Sequence, residues 1–356
     1  MSKRIACEML YNCKDEKYSE SIRRFQGCPT IAISPKGRIF MGWYAGGTRE
    51  PHMENYNLLI YSDDKGKTWS EPVLIIPSNI DLCVQALDIQ LVVSPEGKLF
   101  VYWVQNDTIK SDERCYHWVD GYIFADFHHA QWLTVCDEPD AEVLTFSKPR
   151  YVDSGFLRCK TTFLSDGRWF NCNYDQITDC YGYSISEDKG ETFKRHYGAK
   201  KIETPTPIDE TMVYERKDGS LHMLARNATG YLAETVSEDG GKTWSETELT
   251  DIESPNTRFF IARTPSGRIL LVNNDNKEKR INMSVYLSED DGRTFKYKKC
   301  IYEGTSSYPD VDFYDGKIYL VFDHGRTEER EILFCSFTEE DIIQDKTIEV
   351  KIVSKP

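Results

Sequence analysis

Six short polar segments, each just before a β-type hairpin, contain the residues of this sequence that could do chemistry. The segments are Gly27-Cys28-Pro29, Leu87-Asp88, Arg158-Cys159-Lys160, Asp209-Glu210, Thr257-Arg258 and Tyr308-Pro309-Asp310. Glu210 precedes an otherwise apolar strand, where a carboxylate is uncommon without a partner. Asp88 also begins a strand, and a carboxyl group shielded from water there would hold its proton and could act as an acid. Lys160 and Arg258 could bind a carboxylate, a sulfate or a hydroxyl group.

The hairpins that follow these segments repeat six times. Each has a glycine turn between two strand-like runs, and the turn residues are Gly37, Gly97, Gly167, Gly219, Gly267 and Gly316. The last three intervals are 52, 48 and 49 residues, close to the ~40 to 50 residues of a propeller blade. The pattern predicts an all-β fold, a six-bladed β-propeller with four-stranded antiparallel blades, whose pre-strand segments converge on a central channel. We expect one domain over residues 1–356, with an insertion in blade 2 at about 105–135, where the first two intervals lengthen to 60 and 70 residues.

A second repeated element, Ser-x-Asp-x-Gly-x-Thr-aromatic, follows the hairpin in four blades. Its copies are SDDKGKTW from Ser62, SEDKGETF from Ser186, SEDGGKTW from Ser237 and SEDDGRTF from Ser288. We interpret it as a structural turn, in which Ser and Asp side chains bind backbone N–H groups and the aromatic residue packs into the blade. The alternative is that these acidic loops bind calcium or substrate.

These boxes make the chain resemble the sialidase superfamily of Asp-box (BNR repeat) propellers, from Gly27 to about Ile342. The run ETMVYERKDGSLHMLAR looks like the family segment whose Glu begins the inner strand and whose Arg ends the next, which correspond to Glu210 and Arg226. The resemblance implies that Tyr308 attacks the anomeric carbon and that Arg226 and Arg280 bind the substrate carboxylate. A phenol with an ordinary pKa of ~10 needs a neighbouring base, here Glu210. A neutral phenol also avoids the repulsion that a carboxylate nucleophile would meet at an acidic sugar.

The acid that protonates the leaving group has two main candidates. The family places an Asp in the loop before the first box, and this loop reads GGTREPHMENYNLLIYS. Glu54 is the nearest substitute, with Glu50 and His52 as rivals. Asp88 is the other main candidate.

The chain departs from the family at blade 1. The family has Arg-Ile-Pro there, whereas this chain has Gly27-Cys28-Pro29. Arg23 and Arg24 either supply the missing cation or belong to a surface strand. The missing arginine argues against ordinary sialic acid as the substrate. Lys160 and Arg258 could hold a differently placed carboxylate, sulfate or hydroxyl group, so a related acidic or deoxy sugar remains open.

The blade 2 insertion is rich in aromatic residues. They are Tyr116, Trp118, Tyr122, Phe124, Phe127 and Trp132, accompanied by His117, His128 and His129. Such residues stack on sugars, cover a subunit interface in a homo-oligomer, or pack on their own blade. The histidines form no metal spacing, and we predict neither a metal nor a cofactor.

Charge and cysteine usage exclude other function classes. The 356 residues carry a formal net charge of −14, which opposes general binding to nucleic acid or anionic membranes. The sequence shows no signal-peptide pattern and no long apolar run, and its 11 cysteines are scattered. We therefore expect a cytoplasmic protein with structural thiols.

The sequence favours an exo-acting retaining glycoside hydrolase whose partner is an acidic oligosaccharide. Tyr308 attacks, Glu210 takes its proton, and Glu54 or Asp88 serves as acid and then base. Two other classes stay open, namely a lyase acting on a uronic acid and a glycan-binding propeller without turnover. We expect a terminal segment, RIACEMLY or KTIEVKIV, to complete the last blade.

Overall fold

The computed structural model describes residues 5–82, 84–110, 122–174, 178–204 and 209–356, with side chains except at 107–110 and 122–128. Helical segments in this part of the chain are short. They are two 3-10 turns, Glu16–Tyr18 and Glu20–Ile22, and α1, Glu339–Ile343. None of the described helices is long and apolar enough to cross a membrane.

The described strands form six sheets. Sheet 1 contains β1 (Leu10–Tyr11), β2 (Phe25–Ile33), β3 (Ile39–Gly46), β4 (Tyr56–Ser62) and β5 (Leu74–Pro77). Sheet 2 contains β6 (Val84–Val93), β7 (Leu99–Lys110), β8 (Tyr122–Cys136) and β9 (Arg150–Ser154). Sheet 3 contains β10 (Thr162–Phe163), β11 (Trp169–Cys172), β12 (Cys180–Ser186) and β13 (Lys194–Lys200).

The remaining three sheets follow the same order along the chain. Sheet 4 contains β14 (Thr211–Glu215), β15 (Leu221–Ala225), β16 (Tyr231–Ser237) and β17 (Glu248–Glu253). Sheet 5 contains β18 (Phe260–Arg263), β19 (Ile269–Asn274), β20 (Met283–Ser288) and β21 (Tyr297–Tyr302). Sheet 6 contains β22 (Ser307–Tyr314), β23 (Lys317–His324), β24 (Glu331–Phe337) and β25 (Lys351–Ser354).

The predicted fold class is confirmed: the protein is an all-β, six-bladed propeller with antiparallel four-stranded blades. Sheet 1 adds a fifth strand, because β1 pairs with β5 through Leu10 and Tyr11. In sheet 6 the last strand, β25, comes from the predicted C-terminal segment, while the N-terminal segment contributes β1 to sheet 1. The long hairpin of β7 and β8 coincides with the predicted blade 2 insertion.

The chain packs as two compact units, each with its own core. Unit 1 comprises Met1–Leu157, Val321–Phe334 and Ile352–Pro356, and unit 2 comprises Arg158–Leu320 and Cys335–Lys351. In unit 1 the stacked rings of Trp103 and Trp132 lie 6.5 Å apart. In unit 2 Phe170 stacks on Tyr183 at 4.7 Å within a buried cluster. The expected single domain stays a prediction.

The four boxes form the turn that their sequence predicts. In the first box, Ser62 Oγ donates to Asp64 Oδ1 at 2.8 Å and accepts the Gly66 N–H at 2.9 Å. Asp64 in turn accepts the N–H and hydroxyl of Thr68 at 2.9 and 2.6 Å. The boxes at Ser186, Ser237 and Ser288 repeat these bonds. The Ser, Asp and Thr side chains of the motif thus all form hydrogen bonds that hold the turn.

Three of the six polar segments lie inside strands β2, β6 and β22 rather than before them, and they share an unusual backbone conformation. Cys28, Asp88 and Tyr308 have φ values of +54°, +50° and +54°, a left-handed region that side-chain-bearing residues rarely adopt. Register shifts interrupt the pairing of β2 with β3 next to Cys28 and the pairing of β6 with β7 next to Asp88. A bulge with positive φ re-aims a side chain relative to its strand, so these segments are built to place side chains rather than to extend a sheet.

Candidate active site

Tyr308 and Glu210 meet inside unit 2. The Tyr308 hydroxyl donates to Glu210 Oε1 at 3.0 Å, and both residues are buried. Tyr308 lies in β22, and Glu210 directly precedes β14. The structure therefore brings together the two residues that the sequence predicted as nucleophile and base.

Two arginines hold the Glu210 carboxylate. Arg226 Nη1 donates to Oε2 at 2.5 Å, and Arg158 Nη1 donates to Oε1 at 3.3 Å. Burial raises the pKa of Glu210, but the positive charges of Arg226 and Arg158 outweigh it and lower that pKa to about 2. Glu210 is therefore ionised at neutral pH despite being 1% exposed.

The same two arginines reach the Tyr308 hydroxyl. Arg226 Nη1 lies 3.1 Å and Arg158 Nη1 lies 3.2 Å from the phenol oxygen. Burial lowers the pKa of Arg226, but Glu210 and Tyr308 outweigh it and raise that pKa above its usual range. The phenol oxygen thus lies between one carboxylate, which can accept its proton, and two guanidinium groups, whose positive charge favours its ionised form.

Asn256 connects two of the predicted carboxylate-binding arginines. Its side-chain oxygen accepts Arg226 Nε at 2.6 Å, and its backbone carbonyl accepts Arg280 Nη2 at 2.8 Å. The Arg280 guanidinium carbon lies 5.7 Å from the centre of the Tyr308 ring. The structure therefore brings Arg226 and Arg280 to the same tyrosine.

Arg258 donates hydrogen bonds to main-chain carbonyl groups. It is 3% exposed and donates to the backbone carbonyls of Arg158, Tyr308 and Pro309 at 2.5, 3.1 and 3.3 Å. Its guanidinium carbon also lies 4.9 Å from the centre of the Tyr308 ring. These contacts tie the segment before β10 to the unusual backbone of Tyr308. The substrate-binding role predicted for Arg258 stays a prediction.

Lys160 is also engaged by protein groups. Its ammonium donates to the Val311 carbonyl at 2.9 Å and lies 3.4 Å from an Asp310 carboxylate oxygen. The predicted role of Lys160 in substrate binding stays a prediction. We call Tyr308, Glu210, Arg158, Arg226, Arg258 and Arg280 the Tyr308 cluster.

Arg158 is the member of this cluster that the sequence analysis did not select. Arg158 lies in the third polar segment, two residues before Lys160, and the sequence predicted a substrate-binding role for Lys160 instead. Residues i and i+2 of an extended segment face the same side, so the spacing was a usable signal. Nothing in the sequence, however, indicated which of the two cations lies at Tyr308.

The two acid candidates have opposite environments within unit 1. The Glu54 side chain is 57% exposed, and its carboxylate lies 2.9 Å from Arg24 and 3.8 Å from His52 Nδ1. Asp88 is 3% exposed. The shielding from water that a proton-donating carboxyl needs is therefore present at Asp88 and absent at Glu54.

Asp88 lies beside a second carboxylate, Glu50. The acidic groups of Asp88 and Glu50 and the Cys28 thiol have ligand atoms within 4.8 Å of one another, a spacing that a metal ion could bridge. Arg326 Nη1 already lies 2.7 Å from Glu50 and supplies positive charge there. We therefore assign no metal role to this group and note that Glu50, rather than Glu54, is the loop carboxylate beside Asp88.

The same arginine crowds the Gly27 position of blade 1. A Cβ atom on Gly27 would lie 3.0 Å from both Arg326 Nε and Asp323 Oδ2, so a larger side chain requires these groups to move. Of the two alternatives, Arg23 is buried, packs over the Trp43 ring at 5.7 Å and donates to Tyr56. Arg24 is exposed and paired with Glu54.

The aromatic prediction for the blade 2 insertion falls mostly outside the described residues. This applies to Tyr116, His117 and Trp118, and to the side chains of Tyr122, Phe124, Phe127 and His128. Trp132 packs in the unit 1 core, and the His129 ring lies 4.1 Å from that of Phe156. For these two residues the packing interpretation is confirmed.

Comparison with known proteins decides the family. The BNR repeat-like domain model matches residues 37–320, most of the chain. The chain belongs to the BNR repeat-like family. Sialidase B of Streptococcus pneumoniae is 22% identical over 330 residues, which cover 83% of this chain and 44% of that protein. This BNR repeat-like chain thus spans less than half the length of that relative. The predicted membership of the sialidase superfamily of BNR propellers is confirmed.

Solved structures agree on the fold. The Hadza microbial sialidase Hz136 has a TM-score of 0.71 at 17% identity, covering 90% of this BNR repeat-like chain and 67% of its own. The intramolecular trans-sialidase of Ruminococcus gnavus, in complex with oseltamivir carboxylate, has a TM-score of 0.67 at 15% identity. It matches 94% of this chain and 98% of its own. At such identities the likeness establishes the fold, and the chemistry must be argued from the residues.

Proposed function

We propose that this protein is an exo-acting, sialidase-like glycoside hydrolase that cleaves a terminal acidic sugar. The observation that carries the proposal is the 3.0 Å hydrogen bond from Tyr308 to the ionised Glu210. A phenol is a poor nucleophile unless its proton is taken, and a buried carboxylate in direct contact is the group that can take it.

The charge of the Tyr308 cluster supports an anionic substrate. Among the described residues of this cluster, four guanidinium groups accompany one carboxylate. Their combined positive charge attracts an anionic group such as a substrate carboxylate. Arginine suits this task because it binds a carboxylate through two parallel hydrogen bonds.

The reaction proceeds in two displacements at the anomeric carbon. The Tyr308 hydroxyl passes its proton to Glu210, and its oxygen bonds to that carbon as the glycosidic C–O bond breaks. The leaving oxygen takes a proton from a carboxylic acid. The candidates for this acid are those predicted from the sequence, Asp88 and Glu54. The resulting carboxylate then removes a proton from water, the water oxygen replaces the tyrosine oxygen, and Tyr308 recovers its proton from Glu210.

The test is turnover of fluorogenic sialosides, uronides and rhamnosides by the wild type, Tyr308→Phe and Glu210→Gln. We expect cleavage of one acidic glycoside and its loss in both variants by about 10²-fold or more. Tyr286→Phe is the matched control, because it removes another hydroxyl of unit 2 that donates to a carboxylate, Asp275, at 2.9 Å. Sugar binding without any cleavage would contradict the proposal and favour a glycan-binding propeller.

A further inference from the structure

Arg158 lies between the two positions that one negative charge occupies during the proposed reaction. Its Nη1 atom is 3.3 Å from Glu210 Oε1 and 3.2 Å from the Tyr308 hydroxyl oxygen. Arg226 Nη1 is placed differently, at 2.5 Å from Glu210 Oε2 and 3.1 Å from the same hydroxyl. Arg226 therefore favours charge on Glu210, whereas Arg158 is equally close to both oxygens.

This difference matters because Glu210 is a weak base. Its arginine partners lower its pKa to about 2 against the opposing effect of burial, while a phenol has an ordinary pKa of ~10. Moving a proton from the phenol to this carboxylate is therefore unfavourable, and it becomes more so if the attraction between a cation and the carboxylate is lost when the charge moves. A cation equidistant from both oxygens gives up no attraction when the charge moves.

We propose that Arg158 is a further catalytic residue, whose guanidinium stays with the negative charge as it moves from Glu210 to Tyr308. In this step the O–H bond of Tyr308 breaks, its electron pair remains on the phenol oxygen, and the proton bonds to Glu210 Oε1. The summed charge of Tyr308, Glu210 and Arg158 is unchanged. The inference rests on the proposed glycosidase function.

The surroundings of Tyr308 hold Arg158 in this place. Arg258 donates to the Arg158 carbonyl at 2.5 Å, which fixes the main chain of the segment. The charged groups that contact Tyr308 from neighbouring elements include Glu210, Arg158, Arg226, Arg258 and Arg280. Arg258 and Arg280 lie over the ring, whereas Arg158 and Arg226 lie within 3.2 Å of the hydroxyl oxygen.

The test follows the ionisation of Tyr308 in the free protein. Tyrosine labelled with ¹³C at the ring carbon that bears the oxygen is incorporated, and the resonance missing in Tyr308→Phe identifies Tyr308. Its pH titration is then compared in the wild type, Arg158→Lys and Arg158→Met. We expect the midpoint to move to higher pH by about one unit or more in Arg158→Met and by less in Arg158→Lys, the size expected for loss of a neighbouring charge.

Arg216→Met is the matched control. Arg216 donates to the hydroxyl of another unit 2 tyrosine, Tyr214, at 3.3 Å, so its loss should leave the Tyr308 resonance unmoved. Arg158→Lys retains a positive charge and guards against a folding defect in Arg158→Met, and both variants are checked by thermal melting.

Kinetics on the responsive glycoside give the second readout. We expect Arg158→Met to lower kcat by about 10²-fold or more with little change in KM, and Arg158→Lys to restore part of it. An unmoved Tyr308 midpoint in Arg158→Met overturns the proposal, as does a Tyr308 that stays protonated at every pH at which the wild type is folded. A raised KM with unchanged kcat also overturns it. If no glycoside is cleaved, the proposed function fails, while the titration still decides the role of Arg158.

Discussion

Glu210 and Tyr308 are separated by 98 residues, yet the tyrosine hydroxyl donates a 3.0 Å hydrogen bond to the carboxylate. Arg226 reaches both side chains through one nitrogen atom, and so does Arg158.

Acid should remove the stabilisation that Glu210 provides. Its folded-state pKa of about 2 is below the ordinary value of ~4.3 of an unfolded chain. A group with a depressed folded pKa stabilises the fold above its unfolded pKa, and this contribution is lost as the pH falls to the folded value. From this group alone, the wild type should lose about 3 kcal/mol of unfolding free energy between about pH 5 and pH 2.

The measurement is denaturant unfolding of the wild type and Glu210→Gln from neutral pH downwards. At neutral pH the variant should be less stable by about 3 to 5 kcal/mol, because it leaves buried arginines without their counter-charge. The box carboxylates titrate in both proteins, so the difference between the two isolates Glu210. A stability difference that stays constant from pH 7 to low pH would contradict the depressed pKa.

Arg258→Met should lower kcat and the melting temperature together. The guanidinium donates to three main-chain carbonyls, which the variant leaves buried without these donors. Each unsatisfied buried acceptor costs about 1 to 3 kcal/mol. Steady-state kinetics and thermal melting check this, and a raised KM with an unchanged melting temperature would instead favour the substrate-binding role predicted from the sequence.

Arg280→Met should act mainly on KM. Its guanidinium is only partly buried, is positioned by the Asn256 carbonyl at 2.8 Å and lies over the Tyr308 ring. Loss of one charge-assisted contact to a substrate carboxylate should raise KM about tenfold or more. Arg293→Met, an exposed arginine of the blade 5 box in the same unit, is the matched control and should behave as the wild type.

The two acid candidates should separate cleanly on mutation. Asp88→Asn should lower kcat/KM by about 10²-fold or more, because a buried acid is lost. Glu54→Gln should stay near the wild type, since that carboxylate is exposed and paired with Arg24. Restored turnover of a substrate with a good leaving group by Asp88→Asn would support its role as acid. The reverse order of sensitivity would return the assignment to Glu54.

A single box serine should contribute measurably to stability. Ser237 is buried, and its hydroxyl accepts the Gly241 N–H at 2.8 Å while donating to Asp239 at 2.9 Å. Ser237→Ala leaves that buried N–H without its acceptor, at a cost of about 1 to 3 kcal/mol. The adjacent Glu238 is exposed, so Glu238→Ala is the matched control. Equal melting temperatures of the two variants would argue against the structural interpretation of the box.

Local patterns in the sequence were sufficient to predict the blades. The turn glycines and the boxes repeat at fixed spacing because each blade satisfies its own hydrogen bonds, as the contacts of Ser62 and Asp64 illustrate. The same repeat located Glu210 and Tyr308, because equivalent positions in successive blades lie at, or just before, the start of the inner strand. Turn and strand patterns of this kind are local in the sequence, and their repetition makes them easy to recognise.

The sequence by itself therefore determined the fold class, the family and the identity of the central pair. Only the tertiary structure decided which cations reach that pair. It selected Arg158 over Lys160, turned Arg258 towards main-chain carbonyls, and left Glu54 at the surface. The physical reason is that the fate of a charged side chain depends on burial and on partners from other blades, and contacts between residues far apart in the chain leave no periodic trace in the sequence.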